Sequence, residues 1–360
     1  PVSFAVAGAK EPLRFNMEVS RDVEDFYFSV PSQPELVRID PDYTVLAKIS
    51  FSPPGPMLDK MLQSDLIGRL LAVRMLDGKG IDKLGKILRE DAFHAVRREA
   101  AKALAKITTP EARAVLTAAS GNQTNAHARR AVVEALAGLN TSESRETLWK
   151  MGETEKNPLI LAAIIGTWGA RPGEPAVTTA LKKHLAGSSY QSTLELAAIR
   201  ALRAQDDESA VAEILARLQQ PHDIRGYDIG AAFDALAFLA RRPASAHRDA
   251  VRAFFTTHLT APRQDWRIAA AKALGTLRDP KALAALEPML AEESKPSGAF
   301  REAVSKSVQN IQSGIEGPVE LKNLWDRLQQ LQKKTEDQQK EIETLKKKSQ
   351  AHAAEMKSAK

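Results

Sequence analysis

From residue 57 to about residue 313 the chain repeats one short pattern of apolar and polar positions. The clearest copy, residues 91–104, places apolar residues three and four positions apart, and the pattern recurs around residues 128–136, 194–202 and 266–274. The closing apolar residues of successive copies lie 28 to 38 positions apart, at Leu76, Leu104, Leu136, Ile165, Leu202, Leu236, Leu274 and Val308. Each interval accommodates two helices of about 10–14 residues and two turns. The pattern therefore predicts an α-solenoid, in which each helix pair buries its apolar face against its neighbours.

Residues 1–54 alternate apolar and polar side chains with a period of two, which is typical of half-buried β-strands. Pro53-Pro54-Gly55-Pro56 ends this region. We predict a small antiparallel β-sandwich, and we expect so thin a sheet to have continued into, or packed against, sequence before Pro1. The five predicted strands cover residues 2–6, 13–19, 25–30, 37–39 and 45–51.

The last segment, residues 318–360, carries apolar residues in a heptad spacing whose middle layers are polar. Two structures fit this pattern. A two-stranded coiled coil would make the protein a homo-oligomer, whereas a single charged helix would lie in solvent. The sequence thus divides into a β-sandwich segment (1–54), a solenoid (57–313) and a heptad helix (318–360), and the fold class is mainly α.

Composition narrows the classes of partner. The chain has a formal net charge of +6, with ten basic and seven acidic residues after residue 317, so the rest carries only +3 over 317 residues. A body so close to neutral argues against nucleic acid as a partner. No apolar run reaches the ~18 residues of a membrane span, so we expect no membrane association. With no Cys, the chain offers no thiol nucleophile and no Cys-based zinc site.

Arginines recur near the starts of the predicted second helices, at Arg97, Arg129, Arg267 and Arg301. They could line a basic surface that binds a peptide or protein partner. The competing interpretation is structural: each Arg would bond acids or carbonyls of an adjacent repeat, and Asp91 and Asp265 stand where such partners would be.

A second candidate binding site is the polar and aromatic stretch of residues 221–228, with Arg225 and Tyr227. It interrupts the repeats, as a surface loop would.

The chemistry of the common enzyme sites is missing from the sequence. A zinc-binding H-E-x-x-H helix needs two His four positions apart, and no two of the seven His have that spacing. The phosphate-binding glycine motifs and the G-x-S-x-G nucleophile motif are missing too. We therefore expect no catalytic residue, metal or cofactor in this chain, and no activity from it alone.

Two stretches resemble known families. Residues 26–43, with Pro31-Ser32-Gln33-Pro34 and Val37-Arg38-Ile39-Asp40-Pro41, followed by Leu46-Ala47-Lys48, resemble the end of the β-sandwich in alanyl-aminopeptidase-type zinc metallopeptidases (gluzincins). In that family the sandwich leads into a HEAT-like helical domain. The pattern of residues 91–104 separately resembles short HEAT repeats. The family's H-E-x-x-H helix and G-x-M-E-N loop do not occur in the chain.

The resemblance implies the non-catalytic C-terminal region of a zinc aminopeptidase-like protein, which shapes substrate access or binds peptide or protein. Its zinc would belong to a catalytic domain of the same polypeptide. The alternative is a HEAT-repeat interaction scaffold from a catalytically inactive relative, self-associating through residues 318–360. A HEAT-type DNA-binding protein is disfavoured by the near-neutral body.

Overall fold

The computed structural model describes residues 2–6, 10–76, 80–220, 224–291 and 298–314, together with Thr335, Gln338 and Ile342. This part of the chain is mainly helical and begins with one small sheet, as predicted. It forms two compact units, Pro1–Arg225 and Gly226–Lys360. The heptad prediction over 318–360 falls outside the described residues, apart from those three, which are helical and exposed. The predicted domain limits stay a prediction.

The sheet has three strands, β1 (Val2–Val6), β2 (Leu13–Phe15) and β3 (Pro34–Ile39). β1 lies in the centre and is antiparallel to both neighbours, so that Val2 pairs with Phe15 on one side and with Ile39 on the other. The predicted antiparallel β-structure is thus confirmed as a single sheet.

Two of the five predicted strands do not form, for different local reasons. Residues 25–30 pair with no strand, but Phe28 still packs on the sheet, with its ring centroid 5.1 Å from those of Phe4 and Phe15. Residues 45–51 follow a turn in which the Asp40 carboxylate accepts hydrogen bonds from the Thr44 and Val45 backbone N–H groups at 2.8 and 2.9 Å. An alternating pattern alone therefore does not make a strand, because a strand also needs a pairing partner.

The first unit continues with eleven described α-helices, numbered in chain order. They are α1 (Gly55–Leu62), α2 (Leu66–Met75), α3 (Ile81–Glu90), α4 (His94–Lys106), α5 (Pro110–Ala119), α6 (Ala126–Leu139), α7 (Ser142–Thr154), α8 (Pro158–Trp168), α9 (Pro175–Leu185), α10 (Thr193–Gln205) and α11 (Val211–Gln219).

Side-chain caps explain where several of these helices begin. Asn125 accepts from the backbone N–H groups of the first turn of α6, and Asn157 does the same for α8. Thr109 caps α5, and Thr141 forms a reciprocal capping box with Ser144 at the start of α7. Each cap satisfies donors that a helix N-terminus would otherwise leave unpaired.

The helices of the first unit form two layers. The second helix of each repeat packs against the next one, giving a layer of α2, α4, α6, α8 and α10, whereas α3, α5 and α7 lie in the other layer. The closing apolar residues predicted from the repeat are buried along the first layer from α4 to α10: Leu104, Leu136, Ile165 and Leu202. Small residues such as Ala100 and Ala131 are also buried there, which lets neighbouring helices approach closely.

The second unit has the same repeat design. Its helices are α12 (Gly226–Leu239), α13 (Arg248–His258), α14 (Gln264–Leu277), α15 (Leu283–Ala291) and α16 (Gly298–Gly314). Leu236, Leu274 and Val308 are buried on α12, α14 and α16, which form its layer of second helices. A side chain at Gly275 would place its Cβ 2.6 Å from Ser307 Oγ, so the close approach of α14 to α16 requires glycine there.

Candidate functional site

The predicted arginines occupy one fixed place, the fourth residue of the second helix in their repeats. Arg97 has this place in α4, Arg129 in α6, Arg267 in α14 and Arg301 in α16. Arg69 has it in α2, although it is not among the arginines predicted from the sequence. In α8, α10 and α12 the same place holds an apolar residue, Leu161, Leu196 or Ile229.

In the first unit each of these arginines reaches the residue that stands two positions before the N-cap of the next second helix. Arg69 Nε donates to Asp91 Oδ2 at 2.9 Å, and Arg97 Nη1 lies 3.4 Å from Gln123 Oε1. Arg129 makes two bonds to Glu155, at 2.6 and 3.1 Å. Because the Arg129 guanidinium and the Glu155 carboxylate make two parallel hydrogen bonds, this pair is the strongest of the three.

The arginines also bond backward to the turn before their own helix. Arg69 Nη1 donates to the Ser64 carbonyl at 3.3 Å. Arg129 Nη1 donates to the carbonyls of Gln123 and Thr124 at 2.9 and 3.2 Å. One guanidinium therefore ties together two successive inter-helix turns.

The Arg129–Glu155 pair is largely removed from solvent, with 22% and 5% of the two side chains exposed. Burial opposes ionisation of Glu155, but hydrogen bonds from Arg129 and from the backbone N–H of Asn157, with the Arg129 charge, lower the pKa of its carboxyl below the ordinary value. The hydrogen bond to Glu155 in turn raises the pKa of Arg129. Both groups are thus charged at neutral pH and hold each other in place.

The arginines of the second unit bond to backbone carbonyls. Arg267 Nη1 donates to Ala261 at 3.1 Å, and Arg301 Nη2 lies 3.4 Å from the Leu290 carbonyl. The expected acidic partners are bonded elsewhere: Asp265 pairs with Arg263 at 2.6 Å. Likewise, the partner of Asp91 is Arg69 and not Arg97. Arg97 and Arg129 thus bond to the following repeat, as the structural interpretation expects, whereas Arg267 and Arg301 bond to carbonyls of their own repeats.

The other two candidates, Arg225 and Tyr227, lie just after residue 224, where the described part of the chain resumes. Arg225 is exposed and its Nε contacts Gln191 Oε1. Tyr227 lies in the first turn of α12, and its side chain is outside the described part of the protein.

The exposed side of α4, α6 and α8, which we call the second-helix face, changes in character from helix to helix. At the fifth and ninth helical positions α4 has Arg98 and Lys102, α6 has the ion pair Arg130–Glu134 (2.8 Å), and α8 has Ala162 and Gly166. Leu159, at the start of α8, leaves 56% of its surface exposed. The face therefore runs from a basic end on α4 to an apolar end on α8.

A groove of about 740 Å³ opens at the basic end, between the last turns of α2 and α4 and the middle of α6. Lys102 and Lys106 line it beside Glu134, and Arg74 and Glu99 form its wall. Burial opposes ionisation of Glu99, yet Arg74 at 3.0 Å and Lys102 at 3.3 Å outweigh this effect and lower the pKa of the Glu99 carboxyl. Within the described residues, Arg98 and Lys106 have no ion-pair partner.

Two histidines that are far apart in sequence meet in the first unit. The rings of His94 on α4 and His127 on α6 stack with centroids 4.9 Å apart. A search for His four positions apart cannot detect such a pair, since it joins the first turns of helices in adjacent repeats. Among the described residues no group of three or more His, Asp or Glu is placed to hold a metal ion.

Comparison with known protein families identifies the repeats. The family model of HEAT repeats matches residues 81–167, which span α3 to α8, and the model of the PBS lyase HEAT-like repeat matches residues 266–292. Both units therefore contain HEAT-type helical repeats. No curated protein sequence matches the chain.

Several solved structures are similar in fold at low identity. Human deoxyhypusine hydroxylase in complex with glycerol is 17% identical, with 71% of this chain and 96% of that chain covered and a TM-score of 0.30. An engineered protein is 17% identical over 71% of this chain and 78% of that chain, with a TM-score of 0.39. The complex of CpcE and CpcF of phycocyanin lyase from Nostoc is 18% identical. The match covers 75% of this chain and 98% of that chain, with a TM-score of 0.30. Likeness at this level carries no argument about activity.

The relation to alanyl-aminopeptidases is wrong. The matched models are those of HEAT repeats and the PBS lyase HEAT-like repeat, and neither is a peptidase model. The stretch that carried the resemblance also lacks the expected sandwich, because only residues 34–39 of it form a strand. The expectations of a catalytic domain on the same polypeptide and of zinc within it lose their basis with that relation. Within the described ranges, no helix combines the length and the apolar character of a membrane span.

Proposed function

We propose that this protein is a HEAT-repeat scaffold without chemistry of its own, which binds an acidic segment of a protein partner along the second-helix face of its first unit. The observation that carries the proposal is the arrangement of that face, with a groove beside Lys102 and Lys106 at one end and the exposed Leu159 at the other.

The charges at the basic end favour an acidic partner. Three cations, Arg74, Lys102 and Lys106, and two carboxylates, Glu99 and Glu134, line the groove, which leaves an excess of one positive charge. Arg98 adds a further exposed cation on α4. Since Arg98 and Lys106 lack ion-pair partners among the described residues, they can bind a partner's carboxylates without breaking an internal bond.

The apolar end supplies a place for a nonpolar anchor. Ala162 and Gly166 leave a shallow surface next to Leu159, and a leucine-sized side chain can bury apolar area there. The arginines at the fourth helical position are not needed for binding, because they already bond within the array.

The proposal is tested with a fluorescein-labelled peptide that has a glutamate-rich half and a leucine-rich half. We expect binding by fluorescence anisotropy that weakens with added salt, because exposed charges are screened. Replacing both Lys102→Glu and Lys106→Glu is expected to weaken binding at least about tenfold, or about 1.4 kcal/mol. Leu159→Asp should weaken it as well, through the other end of the face.

Lys86→Glu is the matched control, since it makes the same charge change at an exposed position of α3, in the other helix layer. It should leave the affinity within about twofold of that of the unchanged protein. The proposal would be contradicted if a peptide with lysine in place of glutamate bound as tightly as the glutamate-rich peptide. It would also be contradicted if Lys86→Glu weakened binding as much as the double variant at Lys102 and Lys106.

The predicted self-association through residues 318–360 remains a separate proposal. It is supported by the heptad spacing of the sequence. Analytical ultracentrifugation of the full chain against a chain ending at Gly317 tests it, and equal numbers of subunits in both would refute it.

A further inference from the structure

A small pocket lies in the first unit beside α2, where the chain from β3 to residue 51 packs against that helix. Its volume is about 210 Å³, below the ~300–1,000 Å³ of sites for drug-sized ligands. A cavity of ~150 Å³ already holds a benzene ring. The pocket is therefore suited to one large apolar side chain rather than to a whole small molecule.

Most of the accessible lining is apolar. Every second residue between positions 45 and 51 contributes to it, namely Val45, Ala47, Ile49 and Phe51. Four partly exposed side chains of β3 and α2 also line it: Val37, Ile39, Leu71 and Met75. A thioether makes favourable contacts with an aromatic ring, so Met75 favours an aromatic side chain as the occupant.

Two polar residues of the lining, Arg38 and Asp40, are bonded within the protein. Arg38 donates to Asp65 Oδ2 at 2.8 Å and to the Pro41 carbonyl at 3.2 Å. The Asp40 carboxylate accepts hydrogen bonds within its own turn. An occupant that needs a hydrogen-bond partner would lose its bonds to water on entering, so phenylalanine fits this pocket better than a polar side chain.

Arg74 connects this pocket to the groove beside Lys102 and Lys106. Its side chain lines both cavities, and the next two residues are divided between them, with Met75 in the pocket and Leu76 in the groove. The two cavities thus border each other at the end of α2. Because an extended chain advances ~3.3 Å per residue, a segment bound in the groove needs only a few more residues to reach the pocket.

We propose that the pocket takes a phenylalanine of the same acidic segment that the groove binds, a few residues away from the carboxylates of that segment. The inference rests on the proposed function, since the groove supplies the charged half of the contact. Helix α2 precedes α4, α6 and α8 in the layer, so the pocket lies on the side of the groove away from Leu159 and provides a second, separate anchor. A partner must then carry acidic residues and a phenylalanine at a suitable spacing, which makes the surface selective among acidic segments.

The test uses the full chain and two fluorescein-labelled peptides that have no leucine-rich half. Both carry a run of glutamates, and two residues beyond each end of the run one peptide has phenylalanine and the other has alanine. The phenylalanine peptide should bind at least about tenfold more tightly by fluorescence anisotropy, because its ring is removed from water in the pocket. Both peptides should bind more weakly when Lys102→Glu and Lys106→Glu are combined, because both use the groove.

Ala47→Trp tests the pocket itself. Ala47 is exposed and lines the pocket, so a large side chain at this position would fill it. The phenylalanine peptide should then bind no better than the alanine peptide, whose unchanged affinity would show that the variant is folded. Ser50→Trp is the matched control, since Ser50 is exposed, uncharged and outside the lining. It should keep the preference for the phenylalanine peptide.

The outcomes separate this inference from the proposed function. Equal affinity of the two peptides for the unchanged protein would overturn the inference and leave the scaffold function standing. A preference for phenylalanine that persists in Ala47→Trp would also overturn it, because the ring would then bind elsewhere. If neither peptide bound, or if reversing the charge of the two lysines had no effect on either, the proposed function would fail and this inference with it.

Discussion

At the fourth helical position, α6 carries Arg129 whereas the next helix of the layer, α8, carries Leu161. Arg129 is paired with Glu155 before α8, and both groups bond further to backbone atoms of the turns. Leu161 is 9% exposed, and Tyr190 stands where Glu155 stands in the preceding repeat, two positions before the N-cap of the next second helix. Two neighbouring junctions of one array are therefore held by opposite chemistry.

The difference shows what each kind of junction provides. The charged junction fixes the turns, because the guanidinium bonds to carbonyls on one side and to a carboxylate on the other. The junction at Leu161 is apolar, and at the opposite end of α8 a glycine allows close approach: a Cβ added at Gly169 would lie 2.8 Å from the Ala204 Cβ on α10. Hydrophobic contact is not directional, so we attribute the spacing of the turns between α4, α6 and α8 to the arginines.

The largest effect is expected when the charged chemistry is placed in the apolar junction. Leu161→Arg removes a buried apolar side chain and brings in a cation without an acid in the equivalent place. We expect a loss of about 4 kcal/mol in the free energy of unfolding, measured with urea.

The double variant Leu161→Arg with Tyr190→Glu supplies the missing acid. It should recover about 1–2 kcal/mol, through a pair like Arg129–Glu155. If Tyr190→Glu changes the free energy of unfolding by the same amount with and without Arg at position 161, the two introduced residues do not form a pair like Arg129–Glu155.

The next effect concerns the charged junction itself. Arg129→Met leaves the Glu155 carboxylate buried without its main partner, so we expect a loss of about 2–3 kcal/mol, somewhat below that of a fully buried pair because Arg129 is 22% exposed. Arg130→Met is the control, since its pair with Glu134 is exposed and should contribute less than about 1 kcal/mol. Equal losses in the two variants would show that the position of Arg129 has no special role.

The sequence allowed the arginines of the charged junctions to be predicted, but not their acceptors. Arg97 and Arg129 were recognised because the repeat places them at the same point of each copy. The acceptors Gln123 and Glu155 were missed because they lie two positions before an N-cap, and the N-caps were not located from sequence. Asp91 stands in a place expected for an acidic partner of these arginines, and helix packing joins it to Arg69 of the preceding repeat.

The same limit applies to the β-region and to the second-helix face. Alternating residue types predicted the strands near Val2, Leu13 and Val37, although only β2 shows alternating exposure in the structure. The alternation could not show that residues 45–51 lack a pairing strand among the described residues. The second-helix face likewise depends on which side of α4 and α8 is left uncovered, and that is decided by packing between repeats.

A smaller effect is expected at the junction with a neutral acceptor. Arg97 Nη1 lies 3.4 Å from Gln123 Oε1, and its Nε is buried without a partner. Arg97→Met should therefore cost about 1 kcal/mol or less in urea unfolding, because one weak bond is lost and one unpaired donor is removed. A loss as large as that of Arg129→Met would mean that the acceptor's charge does not set the strength of the junction.

The smallest effect is a pH dependence of the Arg129–Glu155 junction. The pKa of Glu155 in the folded protein lies below its ordinary value of 4.5. Its contribution to stability is therefore complete above about that pH and is lost as the pH falls through the folded-state pKa. Glu155→Gln removes this titration, so the stability difference between the unchanged protein and the variant should narrow on acidification, as urea titrations between neutral pH and about pH 3 would measure. The control is Glu153→Gln, at an exposed position of α7, which should have the same free energy of unfolding as the unchanged protein across this pH range. If the stability difference between Glu155→Gln and the unchanged protein stayed constant with pH, the effect of Glu155 would come from shape and hydrogen bonding rather than from charge.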